Sequence, residues 1–187
     1  MQSSVGNAVR RPENQNHKNN KMNELPKRKT NRLENITYTE NGSYFITVCV
    51  KDMKCILAQI VGGGDLDAPK VKLSAYGKIV EENINRMNDI YENIQCEKYV
   101  IMPNHLHLLI SINDSTPDID GTPRSSSPTV SEYIGTMKRF VNKEIGQNIW
   151  QRSFYDHVIR DVDDYEIKWR YIDENPAKWT EDEYYIS

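Results

Sequence analysis

Two histidines, His105 and His107, lie two residues apart inside the apolar run MPNHLHLLI (102–110), and half of the chain's four histidines fall there. In a strand, residues i and i+2 share a face and sit ~6.5–7 Å apart. Both imidazoles therefore project together, while Leu106, Leu108 and Ile110 project to the other side, where a core belongs. Two neutral imidazoles side by side can each give one nitrogen to a single cation. Burying them without partners would cost a few kcal/mol, so a cation, a backbone carbonyl or water must meet each ring. Two nitrogens do not complete a site, because Mg²⁺ or Mn²⁺ takes about six ligands, mostly oxygen. The chain has no HExxH and no cysteine cluster, so neither a zinc protease nor a zinc finger is supported.

The stretch WRYIDENPAKW (169–179) offers further parts. Val162, Tyr165, Trp169 and Ile172 are spaced 3, 4, 3 and predict a helical stripe against the core. Tyr171 lies off that stripe, and Asn175, four residues on, shares its side of the helix. Pro176 biases Asn175 out of the helical region. A surface tyrosine and a C-capping asparagine are the plainer alternative. Tyrosine, with a pKa near 10, is a weak nucleophile unless its target is activated. A divalent ion that polarises a phosphate supplies that activation. Attack would exchange one phosphodiester for another, so the step is reversible and suits cutting and rejoining better than hydrolysis.

These side chains need strands and helices to hold them. SYFITVCV (43–50) is β-branched and aromatic and predicts a buried strand. KDMKCILAQI follows, and then VGGGDLDAPK, whose glycines, acids and proline mark a loop. KLSAYGKIVEENINRMNDIYEN predicts a helix through Leu73, Tyr76, Ile79, Val80, Ile84 and Met87. QCEKYVIM and HLHLLISI predict strands joined at Pro103-Asn104. TVSEYIGTMKRFVNKEIG predicts a helix capped by Thr129 or Ser131 and ended by Gly146. NIWQRSFYDHVIR is aromatic and β-like. A last helix starts near Asp161 to Asp164, whose acids suit its N-terminus, and stops before Pro176. The order predicts an α+β sandwich, one antiparallel sheet with helices packed on it, nearest to the ferredoxin-like split βαβ arrangement. Residues 1–34 are polar and predict a disordered basic tail. Residues 35–187 form the domain, interrupted by a polar, mobile linker at 113–128.

At 187 residues and 37% hydrophobic content, the chain carries one core with length to spare. It has no apolar run long enough to span a membrane and no signal-peptide core at its start. Cys49, Cys55 and Cys96 form no zinc spacing, and buried reduced thiols in a cytoplasmic protein are expected. The net charge of −3 divides unevenly. Residues 1–34 carry eight bases against three acids, 136–160 five against two, and 161–187 three against nine. Basic segments can meet phosphates, although an ordinary solvated helix reads the same way.

Taken together, YVIMPNHLHLLI, WQRSFYDHVIR and WRYIDENPAKW resemble the REP-associated tyrosine transposases, within the single-tyrosine transposases that carry the His-hydrophobic-His (HUH) motif. SYFITVCV and LSAYGKIV fit the usual opening of that family, and the likeness covers about residues 35 to 180. It implies that His105 and His107 bind a divalent ion, Mg²⁺ or Mn²⁺, with Asn175 at the third ligand position, where insertion-sequence relatives usually carry glutamine. Tyr171 matches the nucleophile that takes the 5′ phosphate of cleaved single-stranded DNA. The implied partner is single-stranded DNA with a hairpin, met by Lys138, Arg139, Lys143, Arg152 and Arg160. Trp150 and Phe154 could stack on bases there but read equally as core. His157 has no assigned role. The acidic end at 161–187 departs from a DNA-facing surface, so a DNA-hairpin-binding module without turnover and a phosphodiesterase acting through water stand as alternatives. No membrane partner is implied, and the chain is a monomer or a homodimer.

Overall fold

The computed structural model describes residues 42–62, 68–113 and 128–186. The expected tail at 1–34, and all of the expected 113–128 linker except Asn113 and Pro128, lie outside the described residues. In chain order the elements are β1 (Gly42–Cys49), β2 (Ala58–Val61), β3 (Lys70–Leu73), α1 (Ala75–Ile90), β4 (Ile94–Ile101), β5 (His105–Ile112), α2 (Val130–Ile145), β6 (Tyr155–Ile159) and α3 (Val162–Glu174). A 3-10 segment, Asn175–Glu181, continues directly from α3.

The main sheet runs β4-β5-β1-β6. β1 and β4 each pair antiparallel with β5, so they run parallel to each other with β5 between them. β5 and β6 flank β1 in the same way. Two interleaved split βαβ units make the expected ferredoxin-like sheet. The small β2–β3 hairpin inserts between β1 and α1, and the sequence reading assigned strands to neither of its arms.

Local chemistry sets the helix ends. Thr129 Oγ1 accepts from Glu132 N and the Glu132 carboxylate accepts from Thr129 N, a full capping box, and Gly146 closes α2 at φ 82°. Ser74 caps α1 by accepting from Gly77 N, so Leu73 belongs to β3 and not to the helix. Asp161 caps α3 by accepting from Asp164 N. Asn175 is helical (φ −56°, ψ −42°), contrary to the bias expected from Pro176. The proline is tolerated because it falls in the first turn of the 3-10 segment, where no donor is needed.

The alternation along the strands divides the molecule into two layers. Ile46, Val48, Leu106, Leu108 and Ile110 face α1 and α2 and form the main core with Ile84, Met87, Tyr133 and Met137. Phe45, Leu109, Val100 and Met102 face the other way, against Ile172 of α3 and Trp179 of the 3-10 segment. Every residue of β5 is buried. The expected α3 stripe forms only in part: Ile172 is buried, while Val162 is 71% and Trp169 37% exposed. The 3-10 segment shares this face of the sheet with α3, and Trp169 instead stacks with Tyr165 (centroids 5.9 Å) and carries the Lys98 ammonium 4.0 Å above its ring. Trp150 and Phe154 are core residues, which removes them as exposed stacking platforms. Cys49 and Cys96 are buried as expected, but Cys55 is exposed.

Candidate active site

His105 and His107 lie on the α3 side of β5, opposite Cys49 and Thr47 of β1. Both rings are buried, at 0% and 1% exposure, and their Nε2 atoms face each other at 3.0 Å. Neighbouring residues set the proton positions. Asn104 Nδ2 donates to Tyr184 O at 2.7 Å, which turns its Oδ1 toward His105 Nδ1 at 2.9 Å. An amide oxygen only accepts, so His105 carries its proton on Nδ1 and presents a bare Nε2 lone pair to His107. His107 Nδ1 lies 2.9 Å from Thr47 Oγ1, a hydroxyl that can donate or accept. Burial holds both imidazoles neutral: His105 is lowered to about 4, and His107 well below its ordinary value, with the neighbouring His105 and Lys168 charges adding to the effect. Neutral imidazole is the form that ligates metals.

α3 and the segment after it complete the site. The Tyr171 ring packs edge-on against His107 (centroids 5.1 Å) and Phe45 (5.7 Å). Its hydroxyl donates to Asp182 Oδ2 at 3.4 Å. Asn175, buried as its i+4 neighbour, donates from Nδ2 to the same oxygen at 2.8 Å. That oxygen also lies 4.0 Å from His105 Nε2, and the Asp182 side chain is only 1% exposed. Asp182 Oδ1 accepts from Tyr184 N at 2.7 Å, fixing the turn that lays the Tyr184 ring 4.7 Å from His105. Asn175 Oδ1 is buried and has no hydrogen-bond partner among the described residues. Burial, then the Asp182 and Glu183 charges, push the Tyr171 phenol up to about 12.

His105, His107 and Asp182 offer ligand atoms within 4.8 Å of one another. Two ligands held ~2.1 Å from one cation at a right angle are themselves about 3 Å apart, which is the separation of the two Nε2 atoms. The donor set therefore fits a divalent ion. The sequence reading brought His105, His107, Tyr171 and Asn175 into one site but missed Asp182. Its signal was present in Glu181-Asp182-Glu183, three acids just beyond the tyrosine helix. A cleft of about 350 Å³, lined by Tyr171, Asn175, Asp182 and Lys178 among others, opens beside Tyr171.

None of the five basic residues lines the cleft beside Tyr171. Lys138, Arg139 and Lys143 belong to α2, which covers the opposite face of the sheet. Lys138 Nζ donates to Gln151 O (3.0 Å) and Ser153 O (2.8 Å), so it holds the loop that carries the exposed Arg152. Arg139 donates to Thr136 Oγ1 at 2.9 Å. Arg160 is exposed just after β6. His157 pairs with Asp164 at 2.7 Å.

No family profile matches the chain. It is 28% identical over 174 residues to an uncharacterized protein of Haemophilus influenzae, covering 85% of this chain and 93% of that one. It is 29% identical over 80 residues to a REP-associated tyrosine transposase of Escherichia coli, covering 43% of this chain and 42% of that one. By fold it is similar to a REP-associated tyrosine transposase solved bound to a REP hairpin, with a TM-score of 0.55, 20% identity, and coverage of 79% of this chain and 74% of that one. In sequence the chain is similar to transposases, and in fold it shares the α+β architecture of one of them. Relatives named as REP-associated tyrosine transposases are thus among the proteins the chain is similar to, in agreement with the resemblance carried by the sequence motifs. No helix among the described residues is long and apolar enough to cross a membrane.

Proposed function

We propose that the protein cuts and rejoins single-stranded DNA beside hairpins, through a 5′-phosphotyrosine intermediate and with a divalent metal ion, Mg²⁺ or Mn²⁺. The observation that carries this reading is convergence: the Tyr171 hydroxyl, the Asn175 amide and the His105 imidazole all approach one carboxylate oxygen, Asp182 Oδ2, at 3.4, 2.8 and 4.0 Å. His105, His107 and Asp182 would hold the ion, with Asn175 Oδ1 as a further oxygen. When bound, the ion polarises a non-bridging phosphate oxygen and offsets charge built up in attack. The hairpin preference rests on the relative solved with a REP hairpin and on the sequence resemblance.

In this reading the Tyr171 oxygen attacks the scissile phosphorus and its proton leaves along the hydrogen bond toward Asp182. The bond from phosphorus to the 3′ oxygen breaks, a tyrosine phosphodiester forms, and the 3′ oxygen takes up one proton in place of the one the phenol gave, leaving as a 3′ hydroxyl. The reverse attack by a 3′ hydroxyl rejoins the strand. Phe45 stacks on His107 (centroids 5.0 Å) and meets Tyr171 edge-on, so it keeps the phenol beside the imidazole. The chain alone holds the phenol protonated, so a positive charge beside the histidines is the element that would activate it.

A 3′-labelled single-stranded oligonucleotide carrying a hairpin, incubated with Mn²⁺, should become covalently attached to the protein on a denaturing gel. Tyr171→Phe should abolish the adduct. Cleavage that survives Tyr171→Phe without an adduct would favour hydrolysis by water. Binding with no metal-dependent cleavage would favour a module that only holds the hairpin.

A further inference from the structure

A second cleft, about 400 Å³ in volume, lies between β1, β6, α3 and the C-terminal turn. It reaches Thr47, whose hydroxyl bonds His107, so one side chain separates it from the histidine pair. Glu183 lines both this cleft and the one beside Tyr171, so the two open on either side of one short turn. The volume lies within the ~300–1,000 Å³ of small-ligand sites. Three aromatic rings line it, Phe45, Tyr184 and Tyr155, the last 42% exposed on an edge strand. The Lys168 ammonium sits 5.2 Å over the Phe45 ring, on the α3 turn that precedes Tyr171. Asp156 and Glu183 bring carboxylates into the same space. Stacking faces, one cation and acceptor groups are what a nucleotide needs: a face for its base, a charge for its phosphate and partners for base amino groups.

We propose that this cleft is a nucleotide subsite. It takes a nucleotide adjoining the phosphate presented to Tyr171, stacks that base on Tyr155 and sets the neighbouring phosphate at Lys168. The inference rests on the reading of single-stranded DNA as the substrate and extends it to a place and a set of residues. The strand would then pass over the histidine pair from one cleft to the other, with the scissile phosphate at the turn between them. The basic residues of α2 lie on the opposite face of the sheet and take no part in this path.

The test uses the full chain bearing Tyr171→Phe, so that binding is read without cleavage. The probe is a single-stranded oligonucleotide with one 5-iododeoxyuridine walked through successive positions. Irradiation at one position should cross-link Tyr155, located by mass spectrometry. Tyr155→Ala should weaken binding about five- to tenfold, as expected for a lost stacked base, and Tyr155→Phe should restore it. Lys168→Gln should flatten the plot of log affinity against log salt by about 0.7, one single-strand phosphate contact. Unchanged affinity in Tyr155→Ala, or an unchanged slope in Lys168→Gln, overturns the subsite. The unsubstituted Tyr171 chain is assayed alongside for the covalent adduct. If the adduct fails while the subsite results hold, the nicking reading alone falls; if the adduct forms while they fail, the subsite alone falls.

Discussion

His105 and His107 stay neutral in the folded chain, and this ties stability to pH. An unfolded imidazole titrates near 6.5, whereas burial lowers folded His105 to about 4 and depresses His107 as well. Below about pH 6.5 the unfolded chain therefore binds more protons than the folded one, and stability falls as pH drops from there toward 4. At pH 5 His105 alone accounts for about 2 kcal/mol of lost stability. Urea midpoints measured without metal should fall between pH 7 and pH 5, and His105→Gln should flatten that part of the profile. An equal slope in both proteins would show that other groups carry the acid sensitivity. At this scale the site was legible where spacing is local: i and i+2 on a strand paired the histidines, and i and i+4 on a helix paired Tyr171 with Asn175. The acids at 181–183 were visible, but their place in the site was not, because the 3-10 segment and the turn closed on Asp182 Oδ1 bring Asp182 back to β5. No period in the sequence encodes that return, and the acidic end reads as a charge unfavourable to DNA although it contains the candidate ligand Asp182.

α3 is anchored far more lightly than the other two helices. Ile172 is its one buried residue, whereas α1 and α2 each bury a stripe of side chains in the main core. Elements with little buried surface open locally at lower free energy than the whole molecule unfolds. Amide hydrogen exchange should therefore be at least tenfold faster along α3 than at the centres of α1 and α2, and Ile172→Ala should speed α3 further while leaving α1 and α2 slow. Equal protection across the three helices would contradict this ordering. A lightly held tyrosine helix is compatible with a nucleophile that must receive and release a bulky strand. The strongly encoded elements were those with caps and a full apolar face, such as α2 between Thr129 and Gly146. The β2–β3 hairpin escaped because AQIV and KVKL are four residues each, too short for alternation to stand out. The α3 stripe was overread because a 3,4,3 spacing says which side chains share a face but not how much of that face the sheet has room to cover.

Across the whole molecule, acidic charge concentrates where the chemistry is proposed. The chain's net charge is −3, and the cleft beside Tyr171 is lined by Glu174, Glu181, Asp182 and Glu183 against the lone cation of Lys178. A strand of phosphates does not enter such a cleft unaided; a divalent ion held at the histidine pair would reverse the local balance. The same ion would stabilise the fold, since a ligand that binds only the native state adds about 2.7 kcal/mol at a hundred times its Kd. For a chain of this length that corresponds to a rise of about 5–10 °C in Tm. Mn²⁺ at saturating concentration should produce that rise at pH 7, and a chelator should reverse it. The buried pair, rather than the exposed carboxylates, is the anchor of the site. The rise should therefore vanish in a His105→Ala, His107→Ala double variant compared with and without Mn²⁺, and Asp182→Asn should reduce it. A rise that persists undiminished in the double variant would place the ion on the acidic surface and remove the metal from the chemistry proposed for Tyr171.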